Sequence, residues 1–215
     1  MMLPVWAVRV ALVVLGLGGW FWSQALIAKR AFPDGRIGDL LHDFSAPLHA
    51  RLLARPAAAN QVLIVTSGLV DLLGLFLILR AVLGPSLRPL VGLLILFALR
   101  QICQALCSLP CPEGMIWRYP GFPSLLVTYG TATDLFFSGH TAVSVYGCLE
   151  LAAWGGPAFA VLGALLALTE ATTVIVLRAH YTMDVFAGAV TALWVVTVAS
   201  TLAPSLDGWL ATLAR

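Results

Sequence analysis

The sequence predicts an all-α polytopic membrane protein: a single domain over 1–215, with six transmembrane helices and an interfacial helix after the first. Three observations predict it. Hydrophobic residues make up 60% of the chain and charged residues only 10%, whereas a soluble domain carries about 25% charged residues. The apolar residues fall in blocks of roughly the 20 that a bilayer crossing needs. Gly84-Pro85, Pro110 to Pro112 and Gly155-Gly156-Pro157 punctuate the blocks. The blocks are too long for barrel strands, and lipid satisfies no open backbone group, so each is assigned as a helix.

The first span runs from about Trp6 to Ala28. Ser23-Gln24-Ala25 resembles a signal-peptide cleavage site, but the apolar stretch is too long for that and its leading region holds only Arg9. A retained span is expected. Segment 30–59 follows, with a turn signal at Pro33-Asp34-Gly35. After it Ile37, Leu40, Leu41, Phe44, Leu48 and Leu52 recur at helical spacing, which reads as an amphipathic helix in the membrane interface. His42 and His49 on this segment, with Asp43 beside them, read as scattered interfacial residues rather than a metal site.

Spans two and three run from about Gln61 to Leu79 and Leu90 to Leu109. Segment 110–134, rich in Pro, Gly and aromatics, suits a lid or capping loop. Spans four, five and six run from about Leu135 to Trp154, Ala158 to Leu177 and Tyr181 to Leu202. Trp20, Trp22, Trp117 and Trp154 lie near these boundaries and suit an aromatic belt. Cys103, Cys107, Cys111 and Cys148 form no CxxC pair and have no histidine nearby, so zinc is not expected. They read as packing residues, with Cys107 and Cys111 able to pair on an oxidising side. A net charge of +2 with one lysine and no basic run excludes a nucleic-acid surface.

With six spans, the loops after spans one, three and five share a face. His140 opens span four and His180 with Asp184 opens span six, so two distant histidine motifs converge at one membrane depth. His180 and Asp184 are four apart, so a helix places them on one face. The carboxylate can accept a bond from one imidazole nitrogen and leave the other as a nucleophile. Ser138-Gly139-His140 offers the free amides of a helix start, a glycine that lets phosphate approach, and a serine hydroxyl. Asp71, Arg100, Glu150 and Glu170 also fall inside spans, where each needs a partner. Arg100 points toward the active face and can reach a phosphate oxygen or pair with Glu170. Asp71 and Glu170 read as members of internal hydrogen-bond networks, and Glu150 as a helix-end residue. Arg178, two before His180, is the stronger phosphate candidate.

Asp134-Leu-Phe-Phe-Ser138-Gly139-His140-Thr141 and His180-Tyr181-Thr182-Met183-Asp184-Val185 together resemble the sphingomyelin synthase family, within the type-2 phosphatidic acid phosphatase superfamily. Pro33-Asp34 and the segment Leu109 to Gly114 resemble further family segments. Ordinary phosphatases of the superfamily carry an arginine six residues before the second histidine; Val174 stands there, so the chain sides with the synthase branch. The resemblance implies a mechanism. His180, oriented by Asp184, attacks the phosphorus of a phospholipid head group. His140 protonates the departing diacylglycerol oxygen, then acts as base for an acceptor hydroxyl of ceramide, another lipid alcohol or water. Asp134, Ser138, Gly139, Arg178 and Arg100 are the candidate substrate-binding residues. No cofactor or metal is required.

Partners are then a phospholipid, a lipid alcohol and the bilayer; a homo-oligomer is left open. The lack of a leading cytosolic domain reads as a prokaryotic inner-membrane protein. The resemblance places the site on the exoplasmic face. Lys29, Arg30, Arg36, Arg51 and Arg55 on the active-face loop argue the other way by the positive-inside rule, against Arg80, Arg88 and Arg215 opposite. Two other readings stay open. One is a lipid phosphatase or phospholipase-C-like hydrolase on the same residues. The other is a non-catalytic transporter or scaffold, against which no inverted repeat is found.

Overall fold

The structure is a computed structural model that describes residues 4–29, 35, 37–129 and 135–213. Regular structure among the described residues is entirely helical. In chain order the helices are α1 (Val5–Ile27), α2 (Leu40–Leu53), α3 (Pro56–Leu83), α4 (Arg88–Leu106), α5 (Gly139–Gly155), α6 (Pro157–Val176) and α7 (Thr182–Leu213). Five of them, α1, α3, α4, α6 and α7, are long and apolar enough to cross a membrane. This is the make-up of an integral membrane protein.

The fourth expected span is shorter than the sequence suggested. Residues 135–138 are not helical and the helix starts at Gly139 behind the Ser138 cap, which leaves α5 with 17 residues. It is also the most enclosed helix, packed against α3, α4, α6 and α7. Two other helices outrun their expected spans. Pro56 starts α3 five positions before Gln61, in the first turn where its missing N–H is tolerated. Helix α7 continues past Leu202, through Pro204, to Leu213.

Helix α2 leaves its apolar stripe of Leu40, Phe44 and Leu48 exposed and buries His42 and His49, the two histidines that the sequence read as scattered interfacial residues. The buried face is therefore polar, and its bonds belong to the site described below.

The core beneath the site is built from Leu77, Leu93, Leu96, Phe97, Tyr146 and Val195. Gly92 lets the Tyr146 ring lie against α4, and the Tyr146 hydroxyl donates to the Arg88 carbonyl at 2.9 Å. The intramembrane carboxylates have separate duties. Glu150, the expected helix-end residue, pairs with Arg88 at 2.8 Å. At the same end Asp207 accepts the Leu87 N–H at 2.8 Å and lies 3.9 Å from Arg9. Asp71 accepts from the Ser124 hydroxyl at 2.9 Å and from the Leu125 and Leu126 amides at 2.8 Å. It thus pins the long loop after α4 onto α3. Glu170 accepts from the Thr66 hydroxyl. All four cysteines are free thiols, so Cys107 and Cys111 do not pair.

Candidate active site

The site forms where α5 and α7 begin side by side. Ser138 caps α5: its oxygen accepts the Thr141 amide at 3.3 Å and the Thr141 hydroxyl at 3.1 Å. The Ser138 amide donates across to the Asp184 carbonyl at 3.0 Å, which ties the start of α5 to the first turn of α7. Gly188 makes that approach feasible, since a β-carbon there would sit 2.7 Å from the Ser138 carbonyl oxygen. The consequence is that His140, two residues into α5, and His180, in the turn before α7, line one cavity.

The turn carrying His180 is built by the end of α6. Arg178 sits in the left-handed region at φ 53°. Its amide donates to the Ile175 carbonyl and the Ala179 amide to the Val174 carbonyl, each at 2.9 Å. This is the Schellman closure, with arginine in the position that usually holds glycine. Three residues from α2 and its cap then fasten the turn. The Asp39 carboxylate caps α2 through the Leu41 and His42 amides at 3.0 and 3.3 Å. It also accepts the Thr182 amide and hydroxyl, both at 2.6 Å. His42 donates from Nε2 to the His180 carbonyl at 2.9 Å, and His49 from Nδ1 to the Val176 carbonyl at 2.9 Å. Burial pushes the Asp39 carboxyl up, but the bonds from Thr182 and His42 outweigh it and hold its pKa below the usual value. Burial lowers the His49 pKa, helped by the nearby Arg178 charge and only partly offset by the bond to Val176. It is therefore a neutral donor near pH 7.

His180 and Asp184 are adjacent as the spacing predicted, although His180 precedes the helix. Nδ1 of His180 lies 3.6 Å from Oδ2 of Asp184. That oxygen accepts the Tyr181 amide at 2.9 Å, as the returning half of a capping box does. His180 Nδ1, Asp184 Oδ1 and His140 Nε2 are all buried without a hydrogen-bond partner. Buried polar atoms are rarely left so. A short side-chain rotation closes the His180–Asp184 bond, and catalytic bonds are commonly long before substrate binds.

Arg100 also lines the cavity. Its Nε donates to the Phe137 carbonyl at 3.0 Å, and its guanidinium passes over Gly139. A β-carbon at Gly139 would lie 2.9 Å from Nε, so this glycine makes room for Arg100 as well as for a ligand. Trp117 meets the His140 ring edge-on at 5.0 Å, and Tyr129 packs on Trp117 at 4.9 Å. Trp20 and Trp117 are thus cavity walls rather than belt residues, whereas Trp22 and Trp154 remain exposed. The cavity has a volume of ≈ 40 Å³, room for a small polar group.

Of the sequence candidates, His140, His180, Gly139 and Arg100 meet in this cavity, with Asp184 behind His180. Ser138 sits behind the cavity as the α5 cap. Arg178 turns to the loop after α4, donating to the Glu113 carbonyl at 2.8 Å. Asp134 lies outside the described residues. Sequence reasoning missed Asp39, Gly188 and the bonding roles of His42 and His49. The seven-residue histidine spacing was visible, but nothing in one dimension pairs Asp39 with Thr182, 143 positions away.

No curated protein and no solved structure shows a significant match to the chain. Residues 39–201 match the family model described as AtPDCT1/2. The match starts at the Asp39 cap and takes in both histidines, Asp184 and Arg100; of the cavity walls, Trp20 lies outside it. It supports the resemblance drawn from the motifs at the level of a related lipid phosphotransferase family, not of the sphingomyelin synthases themselves. The chain belongs to the AtPDCT1/2 family, the phosphatidylcholine:diacylglycerol cholinephosphotransferases related to the sphingomyelin synthases.

Proposed function

We propose that this protein moves a phospho-head group from a phospholipid to a lipid alcohol through a phosphohistidine on His180. The head group is phosphocholine and the acceptor a diacylglycerol, as in the reaction that names the family. The observation that carries this reading is the meeting of His140 and His180, from separate helices, in one buried cavity with Asp184 3.6 Å from His180 Nδ1.

In the first half-reaction Asp184 takes the Nδ1 proton of His180 as a hydrogen bond. Nε2 attacks phosphorus and the bond from phosphorus to the glycerol oxygen breaks. His140 gives that oxygen its proton, and Arg100 balances the charge on the phosphoryl oxygens. In the second half-reaction the acceptor oxygen attacks the phosphohistidine, His140 takes its proton, and the P–N bond breaks. Splitting one displacement into two is the benefit of covalent catalysis. The small cavity suits the phosphoryl group, while lipid chains stay outside it.

The same reading places α5 as a sixth membrane crossing, since 17 residues of helix are preceded by Leu135, Phe136 and Phe137. It lays α2 in the interface, with Leu40, Phe44 and Leu48 turned to the acyl chains. The site end faces the exoplasmic side, and some loop arginines there serve anionic lipid rather than topology.

The test uses purified protein in liposomes of phosphatidylcholine or phosphatidylethanolamine, with or without tracer diacylglycerol or ceramide, and H180A alongside. Head-group transfer to the tracer by wild type alone supports the proposal and names donor and acceptor. Release of free phosphocholine or phosphate without transfer makes the protein a hydrolase on the same residues. Equal inertness of wild type and H180A overturns the enzyme reading.

A further inference from the structure

Glu170 is fully buried in α6 at 0% exposure, yet it has less support than Asp71 or Glu150. Asp71 takes three donors and Glu150 pairs with Arg88. Glu170 takes one donor, the Thr66 hydroxyl, on Oε2, and its Oε1 is buried without a partner. A leucine at this position would fill the space without a charged group to desolvate, so packing does not account for the residue. Ionisable residues retained inside a membrane mark functional sites by default.

Glu170 lines a groove of ≈ 380 Å³ between α3 and α6. Its apolar walls include Val62, Val65 and Leu69, and its polar side chains are Gln61, Thr66, Thr169, Thr173 and Glu170. Val65, at 61% exposed, and Leu168 beside the groove, at 65%, open its mouth outward, toward where lipid lies if these helices cross the membrane. The groove is separate from the histidine cavity but close to it. Thr66 and Glu170 line the groove, whereas Val70, one turn further along α3, lines the cavity. The next residue, Ser67, bonds to Tyr129, which packs on Trp117 of the cavity wall.

We propose that this groove is a docking site for a two-chain neutral lipid with a free hydroxyl, which donates its hydrogen bond to Glu170 Oε1. Resting on the transferase reading, the site holds the acceptor beside the histidine cavity before transfer. The apolar wall takes an acyl chain, and the carboxylate selects an alcohol over an ester or a hydrocarbon. A charged head group is disfavoured, because the groove holds no cation to meet a phosphate.

The experiment uses photoactivatable diacylglycerol and ceramide in liposomes, with labelled peptides mapped by mass spectrometry in wild type, H180A, E170Q and E170L. The expected label lies on segments 58–69 and 165–173. It is competed by unlabelled lipid alcohol but not by triacylglycerol, and it is as strong in H180A as in wild type. E170L reduces it roughly tenfold, the loss expected for a hydrogen bond to a charged group. E170Q, of the same shape, gives a smaller loss and guards against misfolding of E170L. In turnover, E170L raises KM for the lipid alcohol by a similar factor and leaves donor hydrolysis by water within about twofold. Label that ignores both Glu170 variants, or that triacylglycerol competes equally well, overturns the proposal. Because H180A is labelled without turnover, failure of the groove and failure of the transferase reading are read separately. Labelling by one lipid only identifies which alcohol the groove accepts.

Discussion

At the scale of residues, the site is a set of polar atoms held in place by other polar atoms. His180 is fixed from behind: its carbonyl takes the His42 Nε2 proton and its neighbour Thr182 is held by Asp39. Asp184 is fixed by the Tyr181 amide, so its carboxylate cannot swing away from His180. The remaining freedom lies in the His180 ring, 3.6 Å from that carboxylate. Asp184→Asn keeps the size and can still accept from Tyr181, but in the proposed reaction it no longer holds the imidazolium character that would build on His180. Turnover in D184N is expected to fall by roughly 10²–10⁴, the range of a proton-handling side chain. Melting temperature should change little. Steady-state transfer assays and thermal unfolding of the same preparation separate the two effects. A large drop in melting temperature with normal turnover would assign Asp184 to structure alone.

At the scale of elements, α2 behaves as a strap across the α6–α7 turn. His49 is buried in that strap, so its protonation matters. The folded pKa of His49 is lowered from its ordinary value near 6.5, which means the unfolded chain binds protons first as pH falls. Stability therefore holds above about pH 6.5 and declines as pH drops below it toward the folded value. Asp39 adds a second loss at lower pH. Its folded pKa is depressed, so its contribution is present above about 3.9 and is lost as pH falls through the folded value. Melting curves in detergent at pH 7.5 and pH 5.5 should show the first loss. In H49Q, whose amide can still donate to Val176, the difference between the two curves should shrink. An unchanged difference would place the sensitivity elsewhere.

At the scale of the whole molecule, the two ends of the bundle do different work. One end carries loops, aromatic walls and the histidines. The other is closed by Arg88 with Glu150 and by Asp207 with Leu87 and Arg9. Arg88→Ala strands the Glu150 carboxylate, which is 5% exposed. A cost of about 1–3 kcal/mol is expected, between that of an exposed pair and a buried one. Because the pair lies at the end away from the cavity, kcat should stay within about twofold. Thermal unfolding and transfer rate on one preparation check both halves. A matching loss of kcat would mean that the ends are coupled.

The helical membrane character of the chain follows from the sequence alone, because lipid leaves long apolar blocks no other backbone solution. His140 and His180 with Asp184 were also legible, since a four-residue interval and two motif starts at one membrane depth are one-dimensional facts. The duties of Asp71 and Glu150 were near enough to read, because a charge inside a span must find a partner. Packing decided the rest. It chose the histidine face of α2 over its leucine face, because His42 and His49 meet the open carbonyls of the α6–α7 turn, a surface that exists only after α6 and α7 dock. It turned Arg178 to the loop carbonyl of Glu113 and drew Arg100 over Gly139, where side-chain direction rather than sequence distance rules. It joined Asp39 to Thr182 across 143 positions, a contact with no local signature. Periodicity and spacing report what a segment needs; which distant group supplies it depends on how the helices pack.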